Sequence, residues 1–229
     1  RVLELEKDEL CGFVFKAGSP SSGLMRVKVY KESGGPATKN GIGIFARAFV
    51  EHFPCVPVEE EGRLNDPALR ENFIERLFTY YRWRTLLAMS KSRAGLVDFH
   101  TRNKLLILSH SPRHYREMGR LVADAKKLRP SRLFGLYEQL LMEALAQKAT
   151  EKKNSNVLMH GLGYFKKQLS ADEKQELLEI IGQYNEGLMP LIVPVTLLNH
   201  YVRKYQQPYL SQQYYLSPHP IELKLRNHA

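Results

Sequence analysis

The apolar positions of this chain change their spacing partway along, and that change predicts two kinds of structure. Between residues 11 and 30 they come in short runs. CGFVF (11–15) is continuous and rich in aromatic and β-branched side chains, whereas MRVKVY (25–30) alternates apolar with basic residues. Both predict strands. Val2, Leu3, Leu5 and Leu10 stand among charges, which fits the last turns of an amphipathic helix stopped by Gly12. IGIFARAFVEHF (42–53) has helical spacing and ends before Pro54 and Pro57. The intervening stretches, 16–24 and 33–41, are rich in Gly, Ser and Pro and predict loops.

From residue 56 onward the period is helical. Asn65 or Asp66 caps a helix with Pro67 at its first position, and Leu69, Phe73, Ile74, Leu77 and Phe78 fall on one stripe. This long helix is expected to bridge two domains. Just before it, Glu59, Glu60 and Glu61 could ligate a metal, but an acidic run of this kind is expected to be a solvated loop. SKSRAG (90–95) marks a boundary, and helical segments follow at 96–109, 112–128, 131–148, 152–169, 171–186, 188–206 and 219–227. Ser111 with Pro112, and Ser170 with Glu173 completing a capping box, open two of them. The expected fold is α+β overall. A partial α/β domain of short strands and helices covers 1–62, a bridging helix covers 63–89 and an all-α domain covers 90–229.

With 229 residues and 43% apolar content the chain can bury one large core or two small ones. The apolar runs at 105–108 and 188–198 are too short, or too interrupted by Pro190 and Pro194, to span a bilayer, so no membrane partner is expected. The chain opens at Arg1 with neither Met nor a leader, which reads as a fragment. Two cysteines, Cys11 and Cys55, fit a reducing, cytoplasmic setting and cannot by themselves make a disulfide framework or a four-ligand metal site.

Charge sharpens the division. Residues 1–89 carry 13 basic and 12 acidic side chains, whereas residues 90–229 carry 21 and 12. The second part therefore holds nearly all the field that attracts a polyanion. Its densest region runs from Thr101 to Arg132, with nine Lys or Arg against Glu117 and Asp124. There Arg113, Arg116 and Arg120 recur at helical spacing on one stripe, with Tyr115, Met118, Leu121 and Val122 opposite. Guanidinium stripes grip phosphates bidentately; the alternative is a solvated face. His100, Arg102, Lys104 and His110 extend this candidate nucleic-acid surface, and Lys166 and Lys167 beside Tyr164 add to it. Lys148, Lys152 and Lys153 lie near Asn154 and Asn156, then come Arg203 and Lys204, and finally Lys224, Arg226 and His228. The histidines lack the spacing or cysteine partners of a metal site. No phosphate-binding glycine loop, dinucleotide fingerprint or nucleophile elbow is present.

Several separated motifs carry a family resemblance. VDFHTRNKLLILSHSPRHYREMGRLVADA, NVLMHGLGYFKKQL, PLIVPVTLLNHYVRKY and PYLSQQYYLSPHPIELKLRN together resemble the YbgA-like helical domain across 90–229. KAGSPSSGLMRVKVY, GIGIFARAF and PVEEEGRLND resemble the C-terminal half of a thiouracil desulfidase (TudS-like) domain over 1–62. The combination resembles the RNA desulfidase (RudS-like) family. That resemblance implies removal of sulfur from 4-thiouridine in tRNA, leaving uridine, at a [4Fe–4S] cluster held by three cysteines. It also implies that Ser19 matches the active-site serine and that Ser22 stands where a cluster cysteine belongs, within Ser19, Pro20, Ser21, Ser22 and Gly23. The other two cluster cysteines belong to a half of the desulfidase domain that this chain lacks. A hydroxyl is a poor ligand for a soft iron–sulfur site, so the expectation is a chain without a cluster and inactive as it stands. The open alternatives are a non-catalytic RNA-binding helical module and a helical protein-interaction domain.

Overall fold

A computed structural model describes residues 1–32 and 35–227. Ser33 and Gly34 of the expected 33–41 loop, and His228 of the terminal basic group, lie outside the described residues. The fold is α+β with a helical domain, and the chain divides into two compact units, Arg1–Tyr81 and Arg82–Ala229.

The first unit holds a 3₁₀ helix Val2–Asp8, strands β1 (Phe13–Phe15), β2 (Val27–Val29) and β3 (Thr38–Gly41), helix α1 (Ile44–His52), strand β4 (Val58–Glu60) and the first part of helix α2 (Pro67–Met89). β1 and β4 pair in parallel, with Phe13 opposite Val58 and Phe15 opposite Glu60, while β2 and β3 pair antiparallel with a bulge between Val27 and Lys28. An aromatic cluster holds this unit together. Phe15 and Phe49 are 1% and 0% exposed, and the Phe13 and Phe49 rings lie 4.5 Å apart. Helical spacing brings Ala46 and Phe49 to the same buried face of α1.

Three expectations change here. Within the first ten residues, Val2–Asp8 form a 3₁₀ helix with no buried side chain, ended by Glu9 at φ 47°, rather than turns of an α-helix. The 33–41 stretch contributes β3, because its polar TKNG residues pair through their backbone and not through an apolar face. The acidic run supplies β4, whose Glu59 and Glu60 are 8% and 3% exposed instead of solvated.

The second unit continues α2 from Arg82 and adds α3 (Arg93–His110), α4 (Pro112–Ala123), α5 (Pro130–Ala146), α6 (Glu151–Gly163), α7 (Ala171–Asn185) and α8 (Ile192–Lys204). Trp83, fully buried, stacks on Tyr137 at 5.0 Å and meets Phe99 edge-on at 5.2 Å. Caps fix the helix starts: Ser92 accepts from Gly95 N–H, Ser111 from His114 N–H, and Ser170 and Glu173 form the capping box. α4 stops at Ala123 before a 3₁₀ turn, Ala125–Lys127. α6 stops at Gly163, where the chain turns to bury Phe165, and α8 starts only at Ile192, after Gly187 at φ 75° and Pro190. Residues 219–227 are not an α-helix. Pro218 and Pro220 leave room for only a 3₁₀ turn at Ile221–Leu223, and Lys224 and Arg226 adopt positive φ. Among the described residues no helix is long and apolar enough to cross a membrane.

Candidate functional site

The 16–24 loop is held from both sides. Glu60 Oε1 accepts hydrogen bonds from Leu24 N–H at 2.9 Å and Met25 N–H at 3.1 Å, and Glu61 Oε2 accepts from Ala17 N–H at 2.7 Å. Glu59 is braced by Arg63, whose Nε donates to Oε1 at 2.7 Å, and this bond holds the Arg63 pKa above its ordinary value. Glu60 and Glu61 thus clamp the two ends of the loop, and a charged acceptor makes a stronger bond to backbone N–H than a neutral one. On the other side the loop caps α1. Gly43 N–H donates to Gly23 O at 2.7 Å and Phe45 N–H to Ser21 O at 2.9 Å, so loop carbonyls satisfy donors that a helix start leaves unpaired. The approach needs glycine: a Cβ at Gly43 would lie 2.2 Å from Ser21 O, and one at Gly23 would lie 2.7 Å from Ser19 O.

Inside the loop the two serines meet. Ser22 N–H and Ser22 Oγ both donate to Ser19 Oγ, at 3.2 and 3.3 Å, and Gly23 N–H donates to Ser19 O at 2.8 Å. Beside them opens a groove of about 890 Å³ lined by Ser21, Ser22, Lys16, Phe45, Ile44 and the Val2–Asp8 segment, with Ile44 82% exposed. The side chains present do not fit an iron–sulfur cluster. Position 22 offers a hydroxyl already bonded to Ser19, and the Cys11 thiol donates to Glu9 O at 3.6 Å. Among the described residues no group of three His, Cys, Asp or Glu could hold a metal ion.

The expected nucleic-acid residues separate into exposed and buried sets. Arg113, Arg116 and Arg120 are exposed along α4. Arg113 Nε pairs with Glu117 at 2.9 Å, while Arg116 and Arg120 form no ion pair among the described residues. Lys166 and Lys167 are exposed just beyond α6, Lys104 is partly exposed, and Arg102 Nε is paired with Asp98 at 2.8 Å. The two histidines lie inside the unit, a correction to the expected surface. His100 is 2% exposed with Nδ1 3.1 Å from the Tyr137 hydroxyl. Burial, and then the positive charge of Lys104, push its pKa down to about 4, so it is neutral and attracts no phosphate. His110 is fully buried, its Nδ1 2.7 Å from Gln147 O, while Lys153 Nζ donates to His110 O at 2.8 Å. Both histidines sit at helical positions facing neighbouring helices, which local charge density does not reveal. Tyr164 and Phe165 part in the same way: Phe165 is in the core, and Tyr164, 43% exposed, stacks on Tyr209.

The chain is similar in sequence to two groups of known proteins. Residues 1–61 match the family model of 2-thiouracil desulfurase, and residues 104–220 match the family described as protein of unknown function (DUF1722). "Uncharacterized protein YbgA" of Escherichia coli (strain K12) is 33% identical over 153 residues, 66% of this chain and 90% of that protein. The chain belongs to the DUF1722 family and carries a 2-thiouracil desulfurase-like region ahead of it. No solved structure matches it.

Proposed function

We propose that this chain serves the desulfuration of thiolated tRNA: the helical unit docks the RNA, and the 16–24 loop belongs to the site at which 4-thiouridine becomes uridine. One observation carries the reading. A desulfurase-like region is joined to a unit with 23 Lys and Arg against 12 Asp and Glu over 82–229. A pyrimidine thiocarbonyl supplies the chemistry class, and an excess of cations on exposed helices supplies an affinity for a phosphate backbone. The overall change exchanges ring sulfur for the oxygen of water and releases sulfide, so it needs no net oxidant or reductant.

Ser19 and Ser22, rigid within the clamped loop, offer hydroxyls that can hydrogen-bond a base. The cluster that the resembling family uses has no donor set among this chain's described side chains, so RNA docking is the part of the activity that these residues support directly. Ser22 favours a second reading, a non-catalytic RNA-binding module of the same class.

A titration of the chain with 4-thiouridine-containing tRNA over a range of salt tests the docking. Affinity is expected to fall steeply as salt rises. Following the thiocarbonyl absorbance with iron, sulfide and reductant supplied, for the chain and for Ser22→Cys, each joined to a desulfidase half that carries the family's other two cluster cysteines, separates the two readings. Loss of absorbance in either supports the catalytic one, and persistence in both leaves the non-catalytic module. Absence of binding to any tRNA at low salt overturns both and leaves a helical protein-interaction domain.

A further inference from the structure

Tyr164 sits just beyond α6, and its ring stacks on Tyr209 with centroids 4.8 Å apart and planes 18° from parallel. Two glutamines strap the segments that carry these rings. Gln207 Nε2 donates to Tyr164 O at 3.5 Å while its Oε1 accepts from Tyr209 N–H at 3.1 Å, and Gln168 Nε2 donates to Tyr205 O at 3.4 Å. Gln206 adopts φ 48°, a left-handed conformation that is unfavourable for a residue with a side chain. The segment is anchored on either side, by Tyr201 and Val202 at 2% and 5% exposure and by fully buried Leu210. A strained turn held between two anchors keeps Tyr209 beneath Tyr164.

The core below does not need Tyr164. Phe165, Leu162 and Leu210 already close it, at 0%, 7% and 0% exposure, and Tyr164 remains 43% exposed above them. Beside it Lys166 and Lys167 are exposed and make no ion pair among the described residues. Burial first, and then Tyr164, raise the Tyr209 hydroxyl above its ordinary range, as its place beneath the Tyr164 ring requires.

An exposed aromatic ring, pre-organised by a second ring and flanked by unpaired cations, suits one occupant: an unpaired nucleobase stacked on the ring with its phosphates on the lysines. We propose that the Tyr164–Tyr209 pair is a stacking platform for an unpaired base of the docked RNA, with Lys166 and Lys167 contacting the flanking phosphates. This rests on the RNA-docking reading above and names the part of the RNA recognised, a single-stranded or looped segment and not a duplex.

The test uses the whole chain, a single-stranded oligonucleotide carrying one 2-aminopurine, and a fully paired hairpin of equal charge. The wild-type protein should quench the 2-aminopurine and prefer the single strand. Tyr164→Ala should weaken single-strand binding about tenfold, abolish the quenching and leave the salt dependence of binding unchanged, because a neutral ring releases no counterions. Tyr164→Phe and Tyr164→Trp should keep both signals. Tyr164→Leu, which covers the core beneath but has no π face, should behave as Tyr164→Ala; wild-type binding and quenching by this variant would overturn the platform. If Tyr164→Leu binds normally while Arg116→Ala and Arg120→Ala bind weakly, the platform falls and RNA docking stands. If the wild-type protein binds neither oligonucleotide at low salt, both fall.

Discussion

Glu60 shows how much one side chain can organise. It is 3% exposed and its carboxylate receives two backbone N–H groups from the end of the 16–24 loop. Glu60→Ala leaves both donors without their acceptor, and an unmet buried donor costs roughly 1–3 kcal/mol. Urea unfolding should show a loss of about 2 kcal/mol for Glu60→Ala and a smaller one for Glu60→Gln, which retains an acceptor oxygen. His100 contributes to the pH dependence of the helical unit. Its pKa lies at about 4, below the ordinary value of 6.5, through burial and then Lys104. The unfolded chain therefore binds the proton more readily than the folded one between these values. The stabilising contribution is complete above pH 6.5, is lost as pH falls, and is gone below about pH 4. At ~1.4 kcal/mol per pKa unit the loss is on the order of 3 kcal/mol, and His100→Gln should flatten that part of a stability profile measured from pH 7 to 4.

Among the elements, the best-determined starts are those with local chemistry. Ser170 accepts from Glu173 N–H at 3.2 Å while Glu173 Oε2 accepts from Ser170 N–H at 2.8 Å. Glu173 also binds Lys204 and Tyr205, which tie α7 to the end of α8; Lys204, the Ser170 N–H and Tyr205 together hold its pKa down at about 2. This depressed carboxylate contributes above its ordinary pKa of 4.5, and its contribution is lost as pH falls toward 2. Ser170→Ala should cost about 1 kcal/mol in thermal or urea unfolding, as removal of an N-cap does. These caps and the Arg113, Arg116 and Arg120 stripe were legible because each depends on neighbours within one or two helical turns. β3 and β4 were not, since three or four mostly polar residues give no period, and the partner of β4, β1, lies far back in sequence. The inward turn of Glu60, His100 and His110 was hidden for the same reason: each is placed by a partner at least 35 residues away, Leu24, Tyr137 and Gln147. The 219–227 segment had helical spacing, but Pro218 and Pro220 outweighed it. Within the loop, Ser19 and Ser22 were visible from the sequence as candidate residues, and the bond between them was not.

For the molecule as a whole the decisive quantity is the unequal charge of its two units. Arg1–Tyr81 holds 11 Lys and Arg against 12 Asp and Glu, whereas Arg82–Ala229 holds 23 against 12. A polyanion therefore meets nearly all its attraction on the helical unit, and the salt dependence of binding measures how many of those cations reach phosphates. The three stripe arginines should not contribute equally. Arg113 already shares its charge with Glu117 at 2.9 Å, so a phosphate must compete with a carboxylate for it; Arg116 and Arg120 form no ion pair among the described residues. Each phosphate contact contributes ~0.7–0.9 to the slope of log affinity against log salt. Arg116→Ala and Arg120→Ala should each lower the tRNA-binding slope by nearly that amount, their double variant by about 1.5, and Arg113→Ala by clearly less. Glu117→Gln, which releases Arg113, should raise affinity at low salt and make subsequent removal of Arg113 more costly. Equal effects of all three arginines would show that the Arg113–Glu117 pair opens on binding, and unchanged slopes in every variant would remove α4 from the docking surface.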